Sequence, residues 1–119
     1  DTPEILKQSI LQKLQKLAGR YDVTLPSGEP KDMLGDLIDS IALKHNQPVV
    51  ILIDEYDKPI LDHLGTGEEH FQIALQNRQI LRKLFGVLKE GPLQTAIKFV
   101  FVTGISTFSK VSIFSEWNQ

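Results

Sequence analysis

Three acidic side chains, Asp54, Glu55 and Asp57, follow directly on the aliphatic run V49-V-I-L-I53, and a threonine, Thr103, closes a second largely apolar run, K98-F-V-F-V-T103. A carboxylate at the mouth of a strand is an oxygen donor suited to a hard cation such as Mg²⁺, which keeps much of its water and takes one or two protein carboxylates. The next residue, Glu55, can accept a proton from a water molecule as a general base. A hydroxyl at the end of a neighbouring strand, that of Thr103, can orient such a water or an anionic oxygen through a hydrogen bond. A plainer use is equally open to these residue types: strand ends carry solvated acids and helix caps, and a threonine there can be satisfied by backbone.

The choice turns on whether the two strand ends meet, and that depends on the elements around them. An aliphatic run without alternation suits a strand covered on both faces, as in a parallel sheet flanked by helices. In such sheets ligands bind at the carboxyl edge, where the acids stand. Thr2-Pro3-Glu4 reads as a helix start, with the hydroxyl capping free N–H groups and proline at the first helical position. Its inward stripe is Leu6, Ile10, Leu14, Leu17 and Tyr21, and Gly19 marks the end of regular helix. After the loop T24-L-P-S-G-E-P30, a second helix opens at Pro30 with Met33, Leu34, Leu37, Ile38 and Ile41 inward, and Asn46-Gln47-Pro48 stops it. The stretch D57-K-P-I-L-D-H-L-G-T-G-E-E-H70 is a connection with room for one helical turn and Gly65-Thr66-Gly67 as its tip. A long helix runs from Glu68 to about Lys89 with Phe71, Leu75, Leu81, Leu84, Phe85 and Leu88 on one stripe, interrupted by Arg78, and ended by Gly91-Pro92. The serine- and aromatic-rich tail after Thr103 receives no regular structure, with a short strand near Val111 to Phe114 as the alternative.

Two strands joined through a long helix predict a right-handed crossover and parallel pairing, which brings Asp54 and Thr103 to one edge. Two strands are too few for a self-contained doubly wound sheet, so the expectation is an incomplete α/β domain with further strands upstream.

Composition sets the outer limits. With 119 residues, 41% hydrophobic and 24% charged, the chain has the size and make-up of one soluble globular domain. A net charge of −2 gives no global attraction to nucleic acid or to an anionic membrane, although a local basic patch stays open. Cysteine is absent, which excludes disulfides and thiolate metal sites, and His45, His63 and His70 lack a zinc-binding spacing. No apolar run reaches the roughly 18 residues of a bilayer span, and the opening DTPEILKQ lacks the features of a signal peptide, so a cytoplasmic location is expected. Arg78 could reach a phosphate or snorkel from the edge of its stripe. Asp57 reads as a turn cap, His63, His70 and Lys110 as solvated. Phe108, Phe114 and Trp117 could stack on bases, though burial against further protein fits them better.

An aliphatic strand followed by Asp-Glu is the Walker B pattern of P-loop nucleotide hydrolases. The two blocks V49-VILIDEYDKPIL61 and F99-VFVTGISTFSKVSIFSEWNQ119 resemble the signature blocks of the AAA-ATPase-like family, bacterial proteins often joined to a PD-(D/E)XK-type nuclease-like domain. The resemblance covers most of the chain. It implies a three-layer P-loop NTPase-like fold with parallel central strands, ATP and Mg²⁺ as cofactors, Asp54 as the metal and nucleotide acid, Glu55 as the catalytic base and Thr103 as a sensor of phosphate or water. It also implies an attached effector as partner, a nuclease among the candidates. One departure is large: no G-x-x-x-x-G-K-[ST] loop occurs, and Gly65 and Gly67 lack the lysine. Residues 1–119 therefore read as a partial domain whose phosphate-binding loop lies upstream and which is inactive alone. The competing reading is a nucleotide-independent interaction or scaffold module in which Asp54 and Glu55 are polar strand-end caps. Glu55 separates the two, because a scaffold has no need of a second acid beside the cation-binding position.

Overall fold

The computed structural model describes residues 2–63 and 67–104. Along them lie α1 (Pro3–Arg20), α2 (Pro30–His45), β1 (Val49–Ile53), a short α3 (Lys58–Leu61), α4 (Glu68–Gly86), two 3-10 turns (Val87–Lys89 and Gly91–Leu93) and β2 (Ile97–Val102). The Thr2 hydroxyl accepts a hydrogen bond from the Ile5 N–H at 3.3 Å, with Pro3 at the first helical position, so α1 starts as its sequence dictates. Asn46 ends α2 in the left-handed conformation with φ of 52°, a geometry asparagine adopts readily, and the chain then turns into β1.

The strands β1 and β2 pair in parallel, with Val50 opposite Phe99, Leu52 opposite Phe101 and Ile53 opposite Val102. Val49 pairs with Ile97, so Lys98 is an extra residue in β2, a local bulge that puts Phe99 and Phe101 on one face. The inner face carries Val49, Ile51, Ile53, Ile97 and Val100, which pack on buried Ile38, Val87, Leu88, Leu93 and Ala96. A second cluster, Leu14, Ala18, Leu25, Met33 and Leu37, joins α1 to α2. A third, Tyr56, Ile60, Ala74 and Leu81, seats α3 and α4 beneath the carboxyl end of the sheet. The result is an α/β arrangement with its helices gathered against one face.

Several sequence expectations change in three dimensions. Strands covered on both faces were predicted, but Val50, Leu52, Phe99 and Phe101 stand open at 45%, 73%, 51% and 57% exposure. In α1 the buried stripe is Leu6, Leu14 and Ala18, while Leu17 and Tyr21 face outward, because α2 covers the side of α1 that includes the small Ala18. In α4 the buried face is Ala74, Asn77, Leu81 and Leu84, and Phe71 and Leu75 are exposed. The α-helix ends at Gly86 and tightens into a 3-10 turn at Val87–Lys89. His63 is buried rather than solvated, its ring stacked on His70 with 5.6 Å between centroids. The tip residues Gly65 and Thr66, the suggested strand at 111–114, and Phe108, Lys110 and Trp117 lie outside the described residues. No helix among the described residues is long and apolar enough to cross a membrane.

Candidate functional site at the carboxyl edge of the sheet

Parallel pairing carries the ends of β1 and β2 to the same edge. The ladder runs one residue past β2: the Thr103 N–H donates to the Ile53 carbonyl at 2.8 Å, and the Tyr56 N–H donates to the Thr103 carbonyl at 3.4 Å. Thr103 is thereby fixed beside Asp54, and its hydroxyl donates a hydrogen bond to the Asp54 carboxylate Oδ1. The same hydroxyl oxygen accepts from the Glu55 N–H at 3.4 Å and lies 3.4 Å from the Ile53 carbonyl. With one hydrogen to give, it serves the carboxylate best, since hydrogen bonds to a charged acceptor are the stronger ones. Asp54, Glu55 and Thr103 therefore form one hydrogen-bonded group. Both acids are exposed to solvent.

The next two residues behave in the opposite way. Tyr56 is 3% exposed and Asp57 0%, so the four residues Asp54-Glu55-Tyr56-Asp57 divide into an outward acidic pair and an inward pair. Burial, with the Asp57 charge adding to it, pushes the Tyr56 phenol up to about 12, which keeps it neutral across the physiological range. Asp57 stands at the N-cap position of α3, as a turn cap should, but its side chain makes no capping bond and is wholly enclosed.

Two residues that sequence reasoning passed over shape this edge. Gly104 lies so close to Tyr56 that a Cβ built on it would come within 2.6 Å of the ring carbon Cε1 and 3.2 Å of Asp57 Oδ2. The signal in the sequence was slight: a glycine directly after a strand-end threonine. Asn77, fully buried on α4, donates from Nδ2 to the Pro59 carbonyl at 2.9 Å and ties α4 to α3. Arg78 beside it is half-buried, and its Nε has no hydrogen-bond partner among the described residues.

Chemically, this edge offers carboxylate, hydroxyl and carbonyl oxygens and no nitrogen or sulfur ligand. Among the described residues there is no cluster of three or more His, Cys, Asp or Glu side chains that could enclose a metal ion. One exposed, oriented carboxylate is nonetheless what Mg²⁺ takes from a protein when water and phosphate oxygens complete its octahedron, so the residues present fit that ion.

Comparison with known proteins gives two matches. The profile of a family described as predicted AAA-ATPase matches residues 1–114. An uncharacterised protein encoded in the vnfD 5′ region of Azotobacter chroococcum mcd 1 is 41% identical over 91 residues, which cover 76% of this chain and 16% of that protein. The chain thus spans about one sixth of the length of the curated relative it matches. No solved structure matches it.

Proposed function

This chain belongs to the AAA-ATPase-like family, and on that premise we propose that it is the Walker B and sensor portion of an ATP-binding and hydrolysing domain of the P-loop type. An ATPase-related role, with nucleotide and metal use in general, goes with that membership. The observation that carries the finer reading is the hydrogen-bonded group at the sheet edge, in which the Thr103 hydroxyl holds the Asp54 carboxylate and receives the Glu55 N–H. Asp54 would hold Mg²⁺, directly or through water. The ion supplies charge neutralisation for the β- and γ-phosphates when bound. Glu55, exposed and one residue along, accepts the proton of the attacking water. Thr103 keeps the Asp54 carboxylate in one orientation and offers a hydroxyl beside it.

The glycine-rich loop that cradles the phosphates belongs, in this reading, to chain beyond these residues, together with strands that complete the sheet and an effector that hydrolysis drives. The open apolar face of the sheet and the much greater length of the curated relative, of which the matched stretch is 16%, support this division. A nuclease-like effector and nucleic acid as its target are consistent with it, and the cytoplasm is the location it needs.

The test uses the full-length protein. Asp54→Ala weakens Mg²⁺-dependent nucleotide binding and turnover together, whereas Glu55→Gln keeps nucleotide and loses turnover by about 100-fold or more, because it removes the base and keeps the size. Equal loss of binding in both variants, or wild-type protein without ATP turnover, would move the assignment to a scaffold module.

A further inference from the structure

The inner positions of β1 are Val49, Ile51 and Ile53, so unbroken strand alternation would turn residue 55 inward and residue 56 outward. The structure has the reverse: Glu55 is exposed and Tyr56 is buried. The reversal occurs through the backbone of Glu55, which is left-handed with φ of 51°. The other non-glycine residues with positive φ among those described are Asp22 and Asn46, the residue types that enter this region most easily. A glutamate has no comparable local compensation, and the left-handed conformation disfavours a side chain with a Cβ. Something must therefore hold it there, and strain of this sort gathers at functional sites.

Several contacts converge on this turn. Tyr56 packs in the cluster with Ile60, Ala74 and Leu81, and its ring edge rests on Gly104, where no Cβ could fit. The Tyr56 N–H to Thr103 carbonyl bond ties the same turn to the neighbouring strand end. We infer that the Tyr56 ring seated on Gly104 is what holds Glu55 in its left-handed conformation, making Tyr56 and Gly104 positioning residues for the Glu55 carboxylate. The positioning role rests on the reading of Glu55 as the base. The backbone device itself does not.

The experiment combines turnover and stability in the full-length protein. Tyr56→Leu removes the ring and lowers kcat for ATP by at least tenfold with KM changed less than twofold. Tyr56→Phe restores the ring and recovers most of that loss. Gly104→Ala resembles Tyr56→Leu if it folds. Independently of turnover, Glu55→Gly unfolds with an equilibrium constant about five- to tenfold more favourable to the native state than Glu55→Ala, because glycine tolerates positive φ. In the Tyr56→Leu background that advantage disappears, since residue 55 is free to relax. Equal stability of Glu55→Gly and Glu55→Ala beside an intact Tyr56 would overturn the inference. Wild-type turnover that Glu55→Gln abolishes and Tyr56→Leu leaves untouched would overturn the positioning role while the base assignment stands. Absence of wild-type turnover would overturn the base assignment and the positioning role with it, and the stability comparison would still decide the backbone device.

Discussion

Thr103 sits where one hydroxyl can serve three neighbours, and it gives its hydrogen to the one that carries charge, Asp54. A carboxylate at an exposed strand end otherwise rotates through several orientations, and holding it in one favours the charge arrangement of the transition state more than it favours nucleotide binding. Replacing Thr103 with valine keeps the branched shape and removes the bond. A hydrogen bond to a charged group contributes about 1.5–3 kcal/mol, equivalent to roughly 10- to 100-fold. Turnover of the full-length Thr103→Val protein is expected to fall within that range, with nucleotide affinity changed much less. Steady-state kinetics beside a nucleotide titration check it. A threonine that served the backbone alone would leave both quantities at their wild-type values.

At the scale of the element, α4 spans from the acid-bearing end of β1 to the start of β2, and its seat on α3 decides where that end lies. The short α3 satisfies only some of its carbonyls locally: the Asp62 N–H bonds to the Lys58 carbonyl and the His63 N–H to that of Ile60, while the Pro59 carbonyl accepts from Asn77. An amide in the buried face of a helix reads in sequence as a break in the stripe, as Arg78 does, yet here it joins two elements. Asn77→Ala is expected to lower stability by about 1–3 kcal/mol, the cost of leaving a buried acceptor without its donor. It should shift the urea midpoint while the slope of the transition holds. An unmoved midpoint would mean that α3 is held by packing alone.

At the scale of the whole molecule, the sheet is covered on one face among the described residues. Val50, Leu52, Phe99 and Phe101 form a cross-strand apolar patch, Val50 beside Phe99 and Leu52 beside Phe101, with no helix over it among the described residues. Fully burying a side chain of this size contributes about 1.5–3 kcal/mol, so a large part of the stabilisation available to these strands is unrealised among the described residues. A contiguous exposed patch of this kind associates with something. The isolated chain is therefore expected to bind a hydrophobic dye, self-associate with rising concentration and show no saturable Mg-ATP binding. The full-length protein should do the reverse on all three measures. Tight Mg-ATP binding by the isolated chain would show that its own residues provide the phosphate cradle.

Much of this organisation was legible in the residue order, because it depends on local rules. The bounds of β1, the proline-led starts of α1 and α2, the stop at Asn46 and the parallel crossover through α4 follow from periodicity, caps and the length of the connection. Those alone sufficed to bring Asp54, Glu55 and Thr103 to one edge. Folding in three dimensions was needed for what depends on contacts between residues distant in sequence. The bond from Thr103 to Asp54, the ring of Tyr56 against Gly104 and the inward turn of Asp57 each join positions that no spacing rule links. The exposure of Leu52 and Phe101 is the clearest case, since an apolar strand reads the same whether one face is covered or both. Hydrophobicity along the chain records which side chains favour burial, whereas the neighbours that bury them are set by how the helices pack, and here they pack on one side.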